Sequence, residues 1–280
     1  MIDLFSYSFV QMALIAALVL AGMHSYLGFH VVSRGVIFVD ISMAQAAAFG
    51  AIVALMLGLE PHSWTAYLVS LAFTLIGAIL ISLSRMKDNR IPQEAFIGII
   101  YAGFSAGAIL LLSKYPGGTE ELEHMLTGSL LTVSAADLTV TAILYSVIGV
   151  IHWFCRKDFF SLSEKRSNAI DGGWQVARWD FLFYGLFGLV VTSSVHIAGV
   201  LLVFSFLVIP PVIALLFTKT KGVRLTLGWS AGFTGSLLGI ALSLKLDLPA
   251  GPSIIGALVL LLVVAIILAG IINNARRENV

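Results

Sequence analysis

Polar residues in this chain come in short clusters, and between the clusters run stretches of about 20 mostly apolar residues, the length that carries a helix through a bilayer. Single runs cover about 9–29, 37–59, 64–83, 94–112, 138–154, 225–244 and 252–272. Residues 179–217 stay apolar for too long to be one span. The hydroxyl cluster Thr192-Ser193-Ser194 is the natural break there and predicts two helices. After the fourth run, Lys114-Tyr115-Pro116-Gly117-Gly118 marks a loop. The mixed stretch 119–134 then reads as an external or interfacial helix followed by a short re-entrant piece. The pattern predicts an all-α, polytopic membrane helix bundle of eight or nine transmembrane helices, one domain over 1–280.

Charge orients this bundle. If the runs cross alternately, one side receives Arg34, Arg85, Lys87, Arg90, Arg156, Lys157, Lys165, Arg166, Arg178, Lys219, Lys221, Arg224, Arg276 and Arg277. The other side keeps only Lys114 and Lys245. Short loops rich in Lys and Arg stay cytoplasmic, so nine crossings place the N-terminus outside and the C-terminus inside. The expected location is a bacterial cytoplasmic (inner) membrane.

Composition narrows the class. The chain is 59% hydrophobic and 11% charged, against about 45–50% and about 25% in soluble domains. Its net charge of +1 is spread over many short loops and predicts no nucleic-acid partner. One cysteine, Cys155, excludes a disulfide framework and a multi-cysteine metal site. The start, Met1-Ile2-Asp3, lacks the basic region of a cleavable signal peptide, so the first run is expected to be retained as a helix. No Gly-rich loop leads into Lys-Ser or Lys-Thr, so any ATP must be handled by another chain, and no cofactor is expected on this one. A membrane-embedded enzyme would need a catalytic constellation, and no His-Glu-x-x-His or convincing intramembrane carboxylate pair is present. An ion-gradient-driven secondary carrier is the alternative transporter class. Such carriers show broken helices in matching halves, and Pro210-Pro211 has no counterpart in the first half.

Polar side chains inside spans are costly unless they find partners or line a cavity. Four stand out: Asp40 just inside the second span, and Gln45, His24 and His196 deeper in theirs. Each has an ordinary structural reading as well. A carboxylate near a helix start caps the first turn, and an in-span imidazole or amide often makes only an interhelical hydrogen bond. Glu94, after Ile91-Pro92, reads as a capping residue.

The segment 34–50, from Arg34 through Asp40 and Gln45-Ala46 to Gly50, resembles the hallmark of the membrane (permease) subunits of zinc, manganese and iron ATP-binding-cassette importers. In that hallmark an Arg, six residues later an Asp, and then a His-Ala pair before a Gly open the second helix. Further blocks follow in the same order. They are 94–101 at the fourth helix, 128–134 (Gly-Ser-Leu-Leu-Thr-Val-Ser), 199–210 ending in Pro210, and Asp247-Leu248-Pro249-Ala250-Gly251 before the last helix. The resemblance covers nearly the whole chain.

It implies a type II importer-like bundle, paired with a second copy around a central pathway. It also implies a separate cytoplasmic ATP-binding-cassette ATPase subunit and a periplasmic or lipid-anchored metal-binding protein. The cargo it implies is a divalent transition metal, zinc, manganese or iron. An importer of the same fold with a different cargo stays open. The pathway candidates are Asp40, Gln45, His24 and His196. A coupling segment within about 161–173 is expected to dock on the ATPase, through Ser163, Glu164, Lys165, Arg166, Ser167, Asn168, Ala169, Ile170 and Asp171. From composition alone the same stretch reads equally as an ordinary loop.

The chain departs from the family at the site. The family's acidic residue and histidine stand four apart on one helix face, whereas Gln45 follows Asp40 by five. At about 100° per residue, five residues leave the two side chains about 140° apart, unless a π-bulge absorbs the extra residue. Glutamine is also a weak ligand for zinc. Pro211 doubles the family's single proline at 210 and predicts a sharper kink.

Overall fold

The computed structural model describes residues 7–60, 63–84, 91–114, 126–128, 130–164 and 173–278. Helices α1 (Ser8–Arg34), α2 (Val39–Met56), α3 (Trp64–Leu83) and α4 (Gln93–Leu112) follow one another. A 3₁₀ turn, Leu130–Thr132, then leads into α5 (Ala135–Phe154) and a short amphipathic helix, α6 (Arg156–Glu164). Helices α7 (Gly173–Phe217), α8 (Lys221–Leu246) and α9 (Ala250–Glu278) complete the chain.

The ends are set by residues suited to them. Arg34 closes α1 and suits the negative end of its dipole. Gly35 then adopts φ 62°, ψ 40°, the left-handed cap that glycine takes without penalty. The amide of Val36 reaches back to Val31 O, completing a Schellman turn that hands the chain directly to α2. Glu94, expected as a cap, caps a neighbouring helix: its Oε1 accepts the Phe38 amide at the start of α2 at 3.0 Å. Ser63 and Ser134 cap α3 and α5 through their hydroxyls.

Among the described residues, eight helices are long and apolar enough to cross a membrane, the stretch Arg178–Phe217 counting as one. That stretch reverses. Asp180 meets Arg34 of α1 and Ser194 meets His24, but Leu207 and Pro211 come back against Gly28. A helix continuing straight past Ser194 would instead climb away from Gly28. The reversal falls at Gly199, with φ 74° and ψ 163°, so α7 supplies two antiparallel crossings and the bundle has nine.

The break expected at Thr192-Ser193-Ser194 is therefore displaced to Gly199. The hydroxyls there do not open the helix, because Ser194 bonds back to Val190 O and Thr192 bonds across to Thr74 Oγ1. Only glycine reaches the Gly199 conformation freely. Gly128, itself at φ 68°, packs backbone to backbone against Ala198 and Gly199. The segment 126–132 thus wedges under the reversal, where a re-entrant piece was expected; the stretch 115–125 before it lies outside the described residues.

Helices α1 and α2 form the centre with α7: 61% and 67% of their apolar windows are buried, against 17% for α4. Small residues let these helices approach closely. A Cβ at Gly28 would strike the Leu207 carbonyl, one at Gly50 the Ser70 backbone, and one at Gly239 the Ile254 backbone. Large side chains such as Ile99, Leu110, Ile143 and Leu260 face outward. So apolar an exterior suits lipid or a partner subunit.

Gly199→Ala is expected to lower the stability of the purified protein by at least about 1–3 kcal/mol from the backbone conformation alone. Gly185→Ala, which meets no atom within 4 Å, should change it by less than about 1 kcal/mol. Thermal unfolding in detergent compares the two.

Candidate functional site

Asp40 lies in the first turn of α2, fully buried, and neither carboxylate oxygen has a hydrogen-bond partner. The nearby Ser42 hydroxyl is likewise buried and unpartnered. A carboxylate away from water and without donors is among the costliest groups a bundle can hold. Asp40 is not spent on capping its own helix, since α2 has no side-chain cap at its start.

Helix α2 is regular from Val39 to Met56, with no π-helical insertion. Its first turn closes normally, Ser42 N to Phe38 O at 3.0 Å. The five-residue spacing therefore turns Gln45 about 140° from Asp40. Gln45 is buried, but on another face. Ala44 and Ala47 share the side of Asp40 by helical spacing, and the Ala47 carbonyl accepts from Ser70 Oγ at 2.7 Å.

His24, in the middle of α1, is fully buried and engaged at both nitrogens. Nδ1 donates to Leu20 O at 2.8 Å, which leaves Nε2 facing Ser194 Oγ at 3.1 Å. The same Ser194 hydroxyl meets the Tyr145 hydroxyl of α5. Tyr145 also lies within electrostatic range of Asp40 and Tyr67. His196, half-buried on α7, packs its ring 6.0 Å from that of Tyr67. Among the described residues, no group of three or more His, Cys, Asp or Glu side chains is arranged to hold a metal ion. The four candidates thus surround one region of α1, α2, α5 and α7 without closing into a cage.

A second polar cluster lies at the basic end of the bundle, and sequence reasoning missed most of it. Arg34, counted above as a loop cation, is buried. Its Nη1 pairs with Asp180 Oδ1 of α7 at 3.0 Å, and its guanidinium lies 3.9 Å from the centre of the Phe183 ring. Its Nε donates to Ser163 Oγ at 3.1 Å. His30, one turn before Arg34, reaches the same oxygen through Nδ1 at 3.0 Å. His152 of α5 bonds the Tyr26 hydroxyl at 3.3 Å and stacks against Phe159. The available signal was Asp180, a carboxylate two residues into the longest apolar run, which needs a cation partner. Ser163 and Glu164 end α6, while Lys165, Arg166, Ser167, Asn168, Ala169, Ile170 and Asp171 of the expected coupling segment lie outside the described residues.

A bundle of nine crossings built around polar groups on its central helices is the architecture of a multi-pass membrane permease. The chain belongs to the ABC 3 transport family, whose model matches residues 6–269. It is 28% identical over 251 residues to a probable iron transport system membrane protein of Haemophilus influenzae, covering 89% of each chain. It is 24% identical to the manganese transport system membrane protein MntC of Listeria monocytogenes, over 98% of this chain and 97% of that one. Among solved structures it is similar to PsaBC from Streptococcus pneumoniae in complex with Fab, with a TM-score of 0.77 and 26% identity over 94% of this chain and 93% of that one.

Asp180→Ala should destabilise the protein by about 3–5 kcal/mol, because it strands the buried Arg34 guanidinium. Replacing Arg34 and Asp180 together by leucine should recover most of that loss. Unfolding midpoints of the purified variants test both statements.

Proposed function

We propose that this chain is the membrane-spanning subunit of an ATP-driven importer for a divalent transition metal, and that the ion passes Asp40. One observation carries the reading: Asp40 is a fully buried carboxylate on a central helix with both oxygens unpartnered. A cation crossing at that depth supplies the charge the carboxylate lacks, so the cost of holding Asp40 there is offset when cargo is present. The printed names of the relatives, for iron and manganese transport, support the cargo class. A chelated iron transport system membrane protein of Yersinia pestis, YfeD, 27% identical over 94% of this chain and 86% of that one, agrees with them.

The remaining roles follow from position. Gln45 points away from Asp40 and meets the ion, if at all, from another face and through its amide oxygen. His24 Nε2 is held by Ser194, and a rotation of α7 against α1 frees it as a ligand. His196 sits nearer the Gly199 reversal, on the side away from the basic clusters. By the positive-inside rule those clusters face the cytoplasm. The ATPase subunit docks there on residues 164–171, and a metal-binding protein delivers cargo to the opposite face. A second copy of the chain completes the pathway. Hydrolysis of ATP belongs to the partner subunit.

Uptake of manganese(II) by the complex reconstituted in vesicles tests the site. Asp40→Ala should lower uptake roughly tenfold, the equivalent of about 1.4 kcal/mol of ion stabilisation. Gln45→His should leave the rate within about twofold, because the new imidazole faces away from the carboxylate. Parent-like uptake by Asp40→Ala with manganese, iron and zinc alike would make Asp40 structural and point to a different cargo.

A further inference from the structure

Ser163 is 3% exposed, although it stands one residue before the end of a surface helix. Its hydroxyl has one hydrogen and two lone pairs, and all three are used. The hydrogen goes to Phe159 O at 2.8 Å, within α6. The lone pairs receive Arg34 Nε at 3.1 Å and His30 Nδ1 at 3.0 Å, both on α1. With the serine hydrogen committed, His30 carries its own proton on Nδ1 and is held in one tautomer. Arg34 in turn is fixed to α7 through Asp180. One oxygen atom therefore ties α6 to α1, and through Arg34 to α7.

Few other contacts share this task. Arg34 Nη2 has no partner, so Ser163 and Asp180 hold the guanidinium between them. Beside the joint lies a cavity of about 60 Å³ bounded by Tyr26, His30, Phe160, Ser163, Lys221 and Arg224. That is room for several water molecules, so α6 is not jammed against α8 and has space to shift. Arg34 is followed by the Gly35 turn and then by α2, with Asp40 six residues on.

We infer that Ser163 is the joint through which movement of the ATPase-docking segment reaches α1 and α7, with Arg34 as the arm that carries it. This rests on the reading of residues 164–171 as the docking segment. Being buried beneath Arg34 and His30, Ser163 is not part of the docking surface itself. It is a positioning residue that links that surface to the pathway helices. Losing its hydroxyl leaves Arg34 Nε and His30 Nδ1 without an acceptor, and α6 is then free to move without pulling α1.

The test uses the permease reconstituted with its ATPase and binding protein, reading ATPase co-purification, ATP hydrolysis and manganese(II) uptake together. Ser163→Ala is expected to retain the ATPase and to hydrolyse ATP, while uptake per ATP falls roughly tenfold, a coupling loss of the usual size. Ser163→Thr keeps the hydroxyl and should retain most of the coupling. Ile170→Glu, in the docking segment, should shed the ATPase. If Ile170→Glu keeps its ATPase and transports normally, the docking reading falls and this proposal with it. If Ile170→Glu sheds the ATPase but Ser163→Ala transports at the parent ratio, the docking reading stands and the joint alone is overturned. Loss of assembly in Ser163→Ala with full coupling in Ser163→Thr supports no separate transmission role and overturns the joint as well.

Discussion

Hydrocarbon offers no hydrogen bonds, so every backbone amide and carbonyl at membrane depth must be paired within the chain. Most of this architecture follows from that demand. The chain is helical wherever it is apolar, and its left-handed residues, Gly35, Gly58, Gly128, Gly199 and Asp247, fall at ends and turns. Gly199 shows how tightly the demand is met. Two crossings are joined by a single residue in a conformation open to glycine, so almost no backbone is left unpaired at the turn. Gly128 and the short turn after it fill the space beneath that reversal.

Side chains obey the same demand. Hydroxyls on the inner helices bond back one turn: Thr74 to Ser70, Ser194 to Val190, Ser205 to Leu201, Ser236 to Gly232. Arg34 answers it differently, with a carboxylate from α7, a hydroxyl from α6 and the face of Phe183. Against this background of satisfied groups, Asp40 is the exception. An unpaired carboxylate in a bundle that otherwise pairs its polar atoms is better explained by a transient partner than by packing.

The spans were legible because length and hydropathy alone determine them, and helix ends fell within a few residues of the apolar runs. Asp40 was legible for the same reason, as a charge in the wrong solvent. The long run 179–217 was read as two helices, but its turn was misplaced. Thr192, Ser193 and Ser194 look like an interruption by polarity, yet their hydroxyls are absorbed by the helix. Gly199 looks like any small residue between Ala198 and Val200; its φ of 74° is fixed by the packing of Gly128, distant in sequence. The Arg34 cluster escaped notice because its members, taken singly, sit near helix ends, where charged and polar residues are ordinary. Only the tertiary fold brings Asp180, Ser163 and His30 onto one guanidinium.

The regularity of α2 bears on how the pathway works. A bulge between Asp40 and Gln45 would have restored a two-ligand face within one helix and allowed a largely static site. With the helix intact, any second ligand for an ion at Asp40 must come from another helix. The candidates in range, Tyr145 and His24, are engaged with Ser194 on α7. The ion site is then completed only when α7 moves against α1. Those two helices are also locked together at the basic end, through Arg34 and Asp180. A ligand set that forms and dissolves with one relative motion has differential affinity for two states, which is what a transporter needs in order to take an ion on one side and release it on the other. The departure from four-residue spacing thus shifts the burden of coordination from a single helix to the contact between two.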